Sequence, residues 1–381
     1  MLFDRIYLYS QNTGYFIMKK TLFILAAGVM ALASCNVEPS YKINGKAEGI
    51  ADSTWVYLQE AHGMKLVKLD SAMILNEGFT LSGRQDSTVL RYLSAKPEGG
   101  KRQRIDFFLE NGNINVSLCG ETSATGTPSN DAYQAFKNEY DGEKKTLDEV
   151  YANFRDPSLS NEQRAELQQQ AGMLMSSLGD LVYKHTELNA GNKVGEHLFV
   201  EYNSCISTEQ QQVLIDKFPE ETMNNRYVQR IAKHLEILEN TAVGKKFTDF
   251  ELPTPDGKAL KLSEVVSKNK YTLVDFWASW CAPCRAEMPA VKAAFDKYAE
   301  KGFGIVGISL DNDENAWKQS IKDMNMTWTH MSDLKGVDCE AALLYGIQSI
   351  PYTLLIDQDG TILARNIRGE AFEKKLEELF K

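Results

Sequence analysis

Apolar positions change their period twice along this chain. Between residues 41 and 120 they fall in short runs that alternate or are rich in β-branched and aromatic side chains. These are STWVYLQ (53–59), MKLVKLDSAM (64–73), GFTLSG (78–83) and TVLRYLSA (88–95). Such runs predict strands. IDFFLENGNINVSL (105–118) sets Asn111-Gly112 between two apolar runs, a hairpin signal. Together they predict a small antiparallel sandwich or barrel over residues 36–125. TSATGTPSN (122–130) reads as a linker by composition.

From 126 to 240 the period becomes helical. Tyr133, Phe136 and Tyr140 fall at i, i+3 and i+7, and SNEQ (160–163) is a capping box ahead of a long Gln/Leu/Met helix. STEQQQVLIDKF (207–218) and NNRYVQRIAKHLEIL (224–238) add two amphipathic segments. From 241 to 381 the pattern turns to α/β. YTLVDFWA (271–278) and FGIVGISL (303–310) are nearly continuous apolar runs, as strands buried on both faces would be. Helices are predicted from about Cys281, in ENAWKQSIKDM (314–324) and in EAFEKKLEELF (370–380). YTLLID (352–357) and TILARNI (361–367) flank Asp359-Gly360, a hairpin. Parallel βαβ followed by an antiparallel hairpin predicts a mixed sheet covered by helices.

The N-terminus changes the picture of where the protein works. MKKTLFILAAGVMALASC (18–35) has two lysines, an apolar stretch too short for a span of about 20 residues, and a small-residue end. It resembles the bacterial lipoprotein signal, in which the chain is cleaved before Cys35 and that cysteine is lipidated. A plain signal peptide or a short anchor helix is the alternative. Residues 1–17 precede a complete signal with its own Met18, so translation is expected to start there. The resemblance implies a mature protein held outside the cytoplasm by lipid, in the periplasm and on the outer membrane.

The remaining composition mostly excludes. A formal net charge of -10 argues against a broad nucleic-acid footprint. Apolar residues make up 43% of the 381, enough for real cores in two or three domains. Of six cysteines, Cys281 and Cys284 form the one C-x-x-C; Cys119, Cys205 and Cys339 are scattered. A four-cysteine zinc site lacks half its ligands. His185, His197 and His234 are isolated in sequence, so no metal or other cofactor is expected.

DFWASWCAPCRAEMP (275–289) carries the chemistry. A strand leading into a helix sets Cys281 at the helix N-terminus, where free N–H groups and the positive dipole end favour a thiolate. Cys284 lies one turn further on the same face, within reach to close a disulfide. Pro283 suits the first turn, where a missing N–H costs little. Asp275 sits inside the buried strand run. Burial favours its protonated form, and its distance from the pair suits proton exchange with the second thiol, directly or through water. The other reading is a structural acid bonded to a lysine or to backbone.

Here residues 243–381 resemble the thioredoxin superfamily, in its extracytoplasmic TlpA/ResA-like branch of thiol–disulfide oxidoreductases. FWASWCAPCRAEMP is similar to that branch's active-site segment, and GIQSIPYTLLID to its second landmark. The resemblance implies a cis-proline at Pro351 facing the cysteines. It implies substrate contact by Trp280, Ile350 and Pro351, with Ile350 offering its backbone to an extended chain. Glu287 matches an acid that tunes the pair. The expected substrates are disulfide-bearing exported proteins, cytochrome apoproteins among them, and the expected electron source is a membrane thiol transporter. Three other functions stay open: a disulfide oxidase or isomerase, a peroxidase-type antioxidant, and a binding lipoprotein with a subsidiary redox module. Alkyl hydroperoxide peroxidases place a lone cysteine after a Pro-x-x-x-Thr segment, and DFWASWC has neither residue.

Overall fold

The computed structural model describes residues 40–96 and 101–381. The signal sequence and Cys35 lie outside the described residues.

Eight strands come first: β1 (Tyr41–Lys46), β2 (Trp55–His62), β3 (Lys65–Met73), β4 (Gly78–Gly83), β5 (Val89–Ala95), β6 (Gln103–Leu109), β7 (Gly112–Ser117) and β8 (Ser123–Thr125). They form two four-stranded sheets, ordered β4-β1-β7-β8 and β3-β2-β5-β6. Alternate residues of both, among them Ile43, Val56, Leu58, Leu93, Phe107 and Ile114, meet in one core. The sandwich is not purely antiparallel, since β1 and β7 pair in parallel. Nor do β6 and β7 make the hairpin that Asn111-Gly112 suggested. β6 pairs with β5 and β7 with β1, so the chain turns a corner between sheets there. The Asn111 side chain is committed elsewhere: it donates to the Gln85 carbonyl at 2.6 Å and accepts from the Gln85 N–H at 3.1 Å.

The stretch read as a linker is ordered instead. It supplies β8 and the start of α1 (Pro128–Phe154). Buried Asn130 donates to the Phe108 carbonyl at 2.7 Å and accepts from the Phe108 N–H at 2.9 Å, clasping the helix to β6. Polar composition there reflects specific bonding rather than solvation.

The helical segment continues with α2 (Asn161–Leu188), α3 (Lys193–Tyr202), α4 (Thr208–Lys217), α5 (Glu220–Met223) and α6 (Arg226–Asn240). Ser160 caps α2 and Gln163 bonds back, the capping box read from SNEQ. Tyr133 and Phe136 are buried with Val182, Leu198 and Phe199, and Phe108 joins them from the β side. The Tyr133 hydroxyl donates to Asp106 at 2.5 Å and lies 3.2 Å from His197 Nε2, a second tie between β6 and the helices.

The C-terminal domain contains β9 (Glu251–Pro253), β10 (Ala259–Lys261), α7 (Leu262–Val266), β11 (Tyr271–Trp277), α8 (Ala282–Tyr298), β12 (Phe303–Ser309), α9 (Glu314–Asp323), β13 (Thr329–Met331), α10 (Glu340–Leu344), β14 (Tyr352–Asp357), β15 (Ile362–Arg365) and α11 (Gly369–Leu379). Its five-stranded sheet runs β13-β12-β11-β14-β15. β11, β12 and β13 are parallel, and β14 and β15 antiparallel. β11 and β12 sit centrally, which explains their unbroken apolar runs. Val265 of α7, Met288 and Val291 of α8, Trp317 of α9 and Phe372 and Leu376 of α11 complete the core against them. This is a thioredoxin-like fold. The N-terminal strands form an all-β region, and the helical segment lies between the two. Among the described residues, no helix is long and apolar enough to cross a membrane.

Candidate active site

The C-terminal end of β11 delivers the chain to α8 through Ala278, Ser279 and Trp280. Cys281 is the N-cap of α8, and its sulfur accepts from the Cys284 N–H at 3.2 Å. Pro283 occupies the first turn, as the sequence suggested. The two cysteines are joined as a disulfide with their Cα atoms 5.3 Å apart, so this is the oxidised form. In this form neither cysteine is exposed. Cys281 is only 4% exposed, against 2% for Cys284. Trp280, beside them, is 62% exposed.

Behind Cys284 lies a cavity of about 50 Å³ whose lining includes Cys284, Asp275, Glu287, Pro351, Thr353 and Arg368. That is room for a water molecule. Cys281 is not part of this lining. Asp275 reaches it from the middle of β11, paired in register with Gly307 of β12 and Thr353 of β14. Burial, and after it the Glu287 carboxylate, push the Asp275 carboxyl up to about 7. No hydrogen bond reaches that carboxyl among the described residues. Glu287 stands on α8 and is half-exposed, with Arg368 Nη1 at 3.3 Å from its Oε1. The Ile350–Pro351 peptide is cis, and both residues are half-buried.

Three residues at the site had escaped the sequence reading. Arg368 precedes α11 and comes to Glu287 from 81 residues away, with no local signal. Thr353, on β14, donates its hydroxyl to the Ile367 carbonyl at 2.7 Å and fixes that wall of the cavity. Asp311 is nearly fully buried just past β12. It accepts from the Ser279 N–H at 3.0 Å, the Ser279 hydroxyl at 2.5 Å and the Ser309 hydroxyl at 2.6 Å. It thereby clamps the turn two residues ahead of Cys281. Polar residues closing the FGIVGISL run were its available signal, because open α/β sheets build their sites beyond strand C-termini.

The other cysteines stand apart from this chemistry. Cys119, Cys205 and Cys339 are free thiols: half-buried, exposed and buried respectively. Burial pushes the Cys339 thiol up to about 11. Among the described residues, no group of three or more His, Cys, Asp or Glu is arranged to hold a metal.

A cysteine pair at a helix start, backed by a protonatable acid beside a small cavity, can exchange a disulfide for two thiols. Comparison with known proteins agrees. Residues 243–365 match the AhpC/TSA family, and residues 41–133 match a domain of unknown function, DUF4369. The thiol-disulfide oxidoreductase ResA of Bacillus thuringiensis subsp. konkukian is 32% identical over 143 residues, covering 38% of this chain and 79% of that protein. The thiol:disulfide interchange protein DsbE of Pseudomonas aeruginosa is 31% identical over 125 residues, covering 33% of this chain and 66% of that protein. A solved thiol-disulfide oxidoreductase from Bacteroides fragilis NCTC 9343 is 39% identical, covering 35% of this chain and 99% of that one with a TM-score of 0.34. Through its C-terminal domain, this chain belongs to the family of thiol–disulfide oxidoreductases.

Proposed function

We propose that the protein is a membrane-tethered, extracytoplasmic reductase of disulfides in exported proteins. The observation that carries this reading is the cavity shared by Cys284, Asp275 and Glu287 behind a cysteine pair at a helix start. In the reduced protein the Cys281 thiolate attacks one sulfur of a substrate disulfide. A mixed disulfide forms and the other substrate sulfur leaves, taking a proton. Cys284 then attacks the Cys281 sulfur, which frees the second substrate sulfur as a thiol and closes the Cys281–Cys284 bond. Two electrons pass from the pair to the substrate. Asp275, poised near neutrality, takes the Cys284 proton directly or through one water, because a thiol must ionise to attack. Glu287 tunes that exchange by its charge, and Arg368 moderates Glu287.

Trp280, Ile350 and Pro351 are the proposed substrate contacts. Lipidation at Cys35 is the proposed tether, and the outer membrane the proposed site. Electrons must then come across the inner membrane from a thiol transporter. Cytochrome apoproteins are one candidate substrate class.

The reducing direction is supported by Ala282-Pro283 between the cysteines. Neither carries a charge that would stabilise the Cys281 thiolate further and so make the pair more oxidising. Equilibration against glutathione tests it. The expected potential is more negative than about −180 mV, and a value near −120 mV, that of a strong oxidant, reverses the assignment. Intact mass of the native protein tests the tether: a diacyl or triacyl adduct at Cys35 is expected, and a soluble form beginning elsewhere contradicts it.

A further inference from the structure

The helical segment ends against the loop that carries the cis-proline. Thr241 follows α6, and its N–H is bonded back to the Ile237 carbonyl at 3.0 Å. The Arg365 guanidinium, at the end of β15, gathers three segments around this point. Its Nη1 donates to the Thr241 carbonyl at 2.6 Å and also to the Thr241 hydroxyl. Its Nη2 donates to the Tyr345 carbonyl at 2.8 Å, and its Nε to the Tyr352 hydroxyl at 3.1 Å. Tyr345 and Tyr352 bracket the segment Gly346–Pro351. One side chain therefore holds both ends of that loop and the end of α6.

A second contact makes the same connection without Arg365. Gly346 has a positive φ of 65° and opens the loop. A Cβ placed there would meet His234 at 3.1 Å and Leu238 at 3.3 Å, so α6 packs directly on the loop backbone. The loop start is also fixed from below. Tyr345 is fully buried, and its hydroxyl donates to the Thr248 carbonyl at 2.6 Å. At the other end the one tie from Arg365 is its Nε bond to the Tyr352 hydroxyl.

We propose that Arg365 is a positioning residue through which the helical segment sets the Gly346–Pro351 loop against an incoming disulfide-bearing polypeptide. This rests on the reading that the loop receives an extended substrate backbone. It assigns the helical segment a part in substrate recognition without any contact of its own with the sulfurs. A disulfide with no peptide backbone should be indifferent to it.

The test uses the full chain and two disulfides: a synthetic peptide dimer joined by one disulfide, and 5,5′-dithiobis(2-nitrobenzoate). Arg365→Gln should raise KM for the peptide disulfide about tenfold, the scale of losing hydrogen bonds to a charged group. Its kcat, its potential and its rate with the small aromatic disulfide should stay unchanged. Arg365→Lys keeps the charge but not the fork and should fall between. Thr241→Ala and Tyr352→Phe each remove one bond to Arg365, the former together with the Thr241 hydroxyl's bond to the Ile237 carbonyl, and carry the test if Arg365→Gln fails to fold. In parallel, hydrogen exchange at the amides of residues 346–352 should speed up in these variants, while β11 and β12 keep their protection. Wild-type KM together with wild-type exchange overturns the inference, as does equal loss with both disulfides. If the wild-type protein reduces neither disulfide, the reductase reading fails, and the exchange measurement alone decides the tie between α6 and the loop.

Discussion

Two buried aspartates flank the cysteine pair, and their surroundings differ in one respect. Asp311 accepts hydrogen bonds from the Ser279 N–H and from the Ser279 and Ser309 hydroxyls. Asp275 has no such partner and faces a small cavity with Cys284 and Glu287. Both side chains are nearly inaccessible. A buried acid whose lone pairs are filled holds structure in place, and one left without donors has its proton affinity set by burial. The comparison separates scaffold from chemistry among residues that composition alone would treat alike.

The largest expected effect falls on the clamp. Asp311→Ala removes the acceptor of three donors at the turn and should destabilise the domain by about 3 kcal/mol. Denaturant midpoints should show this loss at every pH between about 5 and 8. A loss below about 1 kcal/mol would mean water replaces the carboxyl and the clamp is dispensable.

Asp275→Asn should act in the opposite sense. The native state holds this proton up to about 7, whereas in the unfolded chain the group titrates near 3.9. Between those values the unfolded chain binds fewer protons, so stability falls as pH rises, and the cost is complete above about 7. A shift of about 3 units corresponds to about 4 kcal/mol. Burying an unpaired amide returns about 2 of that. The variant should therefore gain about 2 kcal/mol over wild type near pH 8 and lose about 2 kcal/mol near pH 4. Its thiol–disulfide exchange turnover should be slower near neutrality, with the loss shrinking as thiols ionise unaided at higher pH. Equal loss at every pH would make Asp275 structural and erase the contrast with Asp311.

Arg368→Gln sharpens the comparison by the smallest step. Removing the cation leaves the Glu287 charge uncompensated, which raises Asp275 further. The pair is half-exposed, so the acid limb of the activity profile should move upward by only about half a pH unit. A downward move would mean Arg368 acts on the cysteines and not through Glu287.

Much of this was legible in the chain. DFWASWCAPC gave strand, turn and helix start because apolar continuity, a helix-start proline and cysteine spacing each constrain one backbone geometry. Asp275 stood out because an acid in such a run has few affordable states. What stayed hidden depends on residues far apart in sequence. Arg368 meets Glu287 across 81 residues, and Arg365 meets Thr241 across 124. The Asn111-Gly112 signal misled because a dipeptide reports local turning but not which sheet receives the next strand. TSATGTPSN misled because Asn130 and Thr127 spend their polarity on buried bonds. Nothing in the CAPC spacing showed that Cys281 is nearly covered in the oxidised pair.

The central claim is a division of labour, with Cys281 attacking from outside the cavity and Cys284 resolving from within it. Trapping in living cells tests it most directly. Cys284→Ser keeps the nucleophile and removes the resolving thiol, so mixed disulfides with exported proteins should persist through non-reducing electrophoresis. Cys281→Ser should trap almost nothing. Equal trapping by both variants, or stronger trapping by Cys281→Ser, would contradict the account.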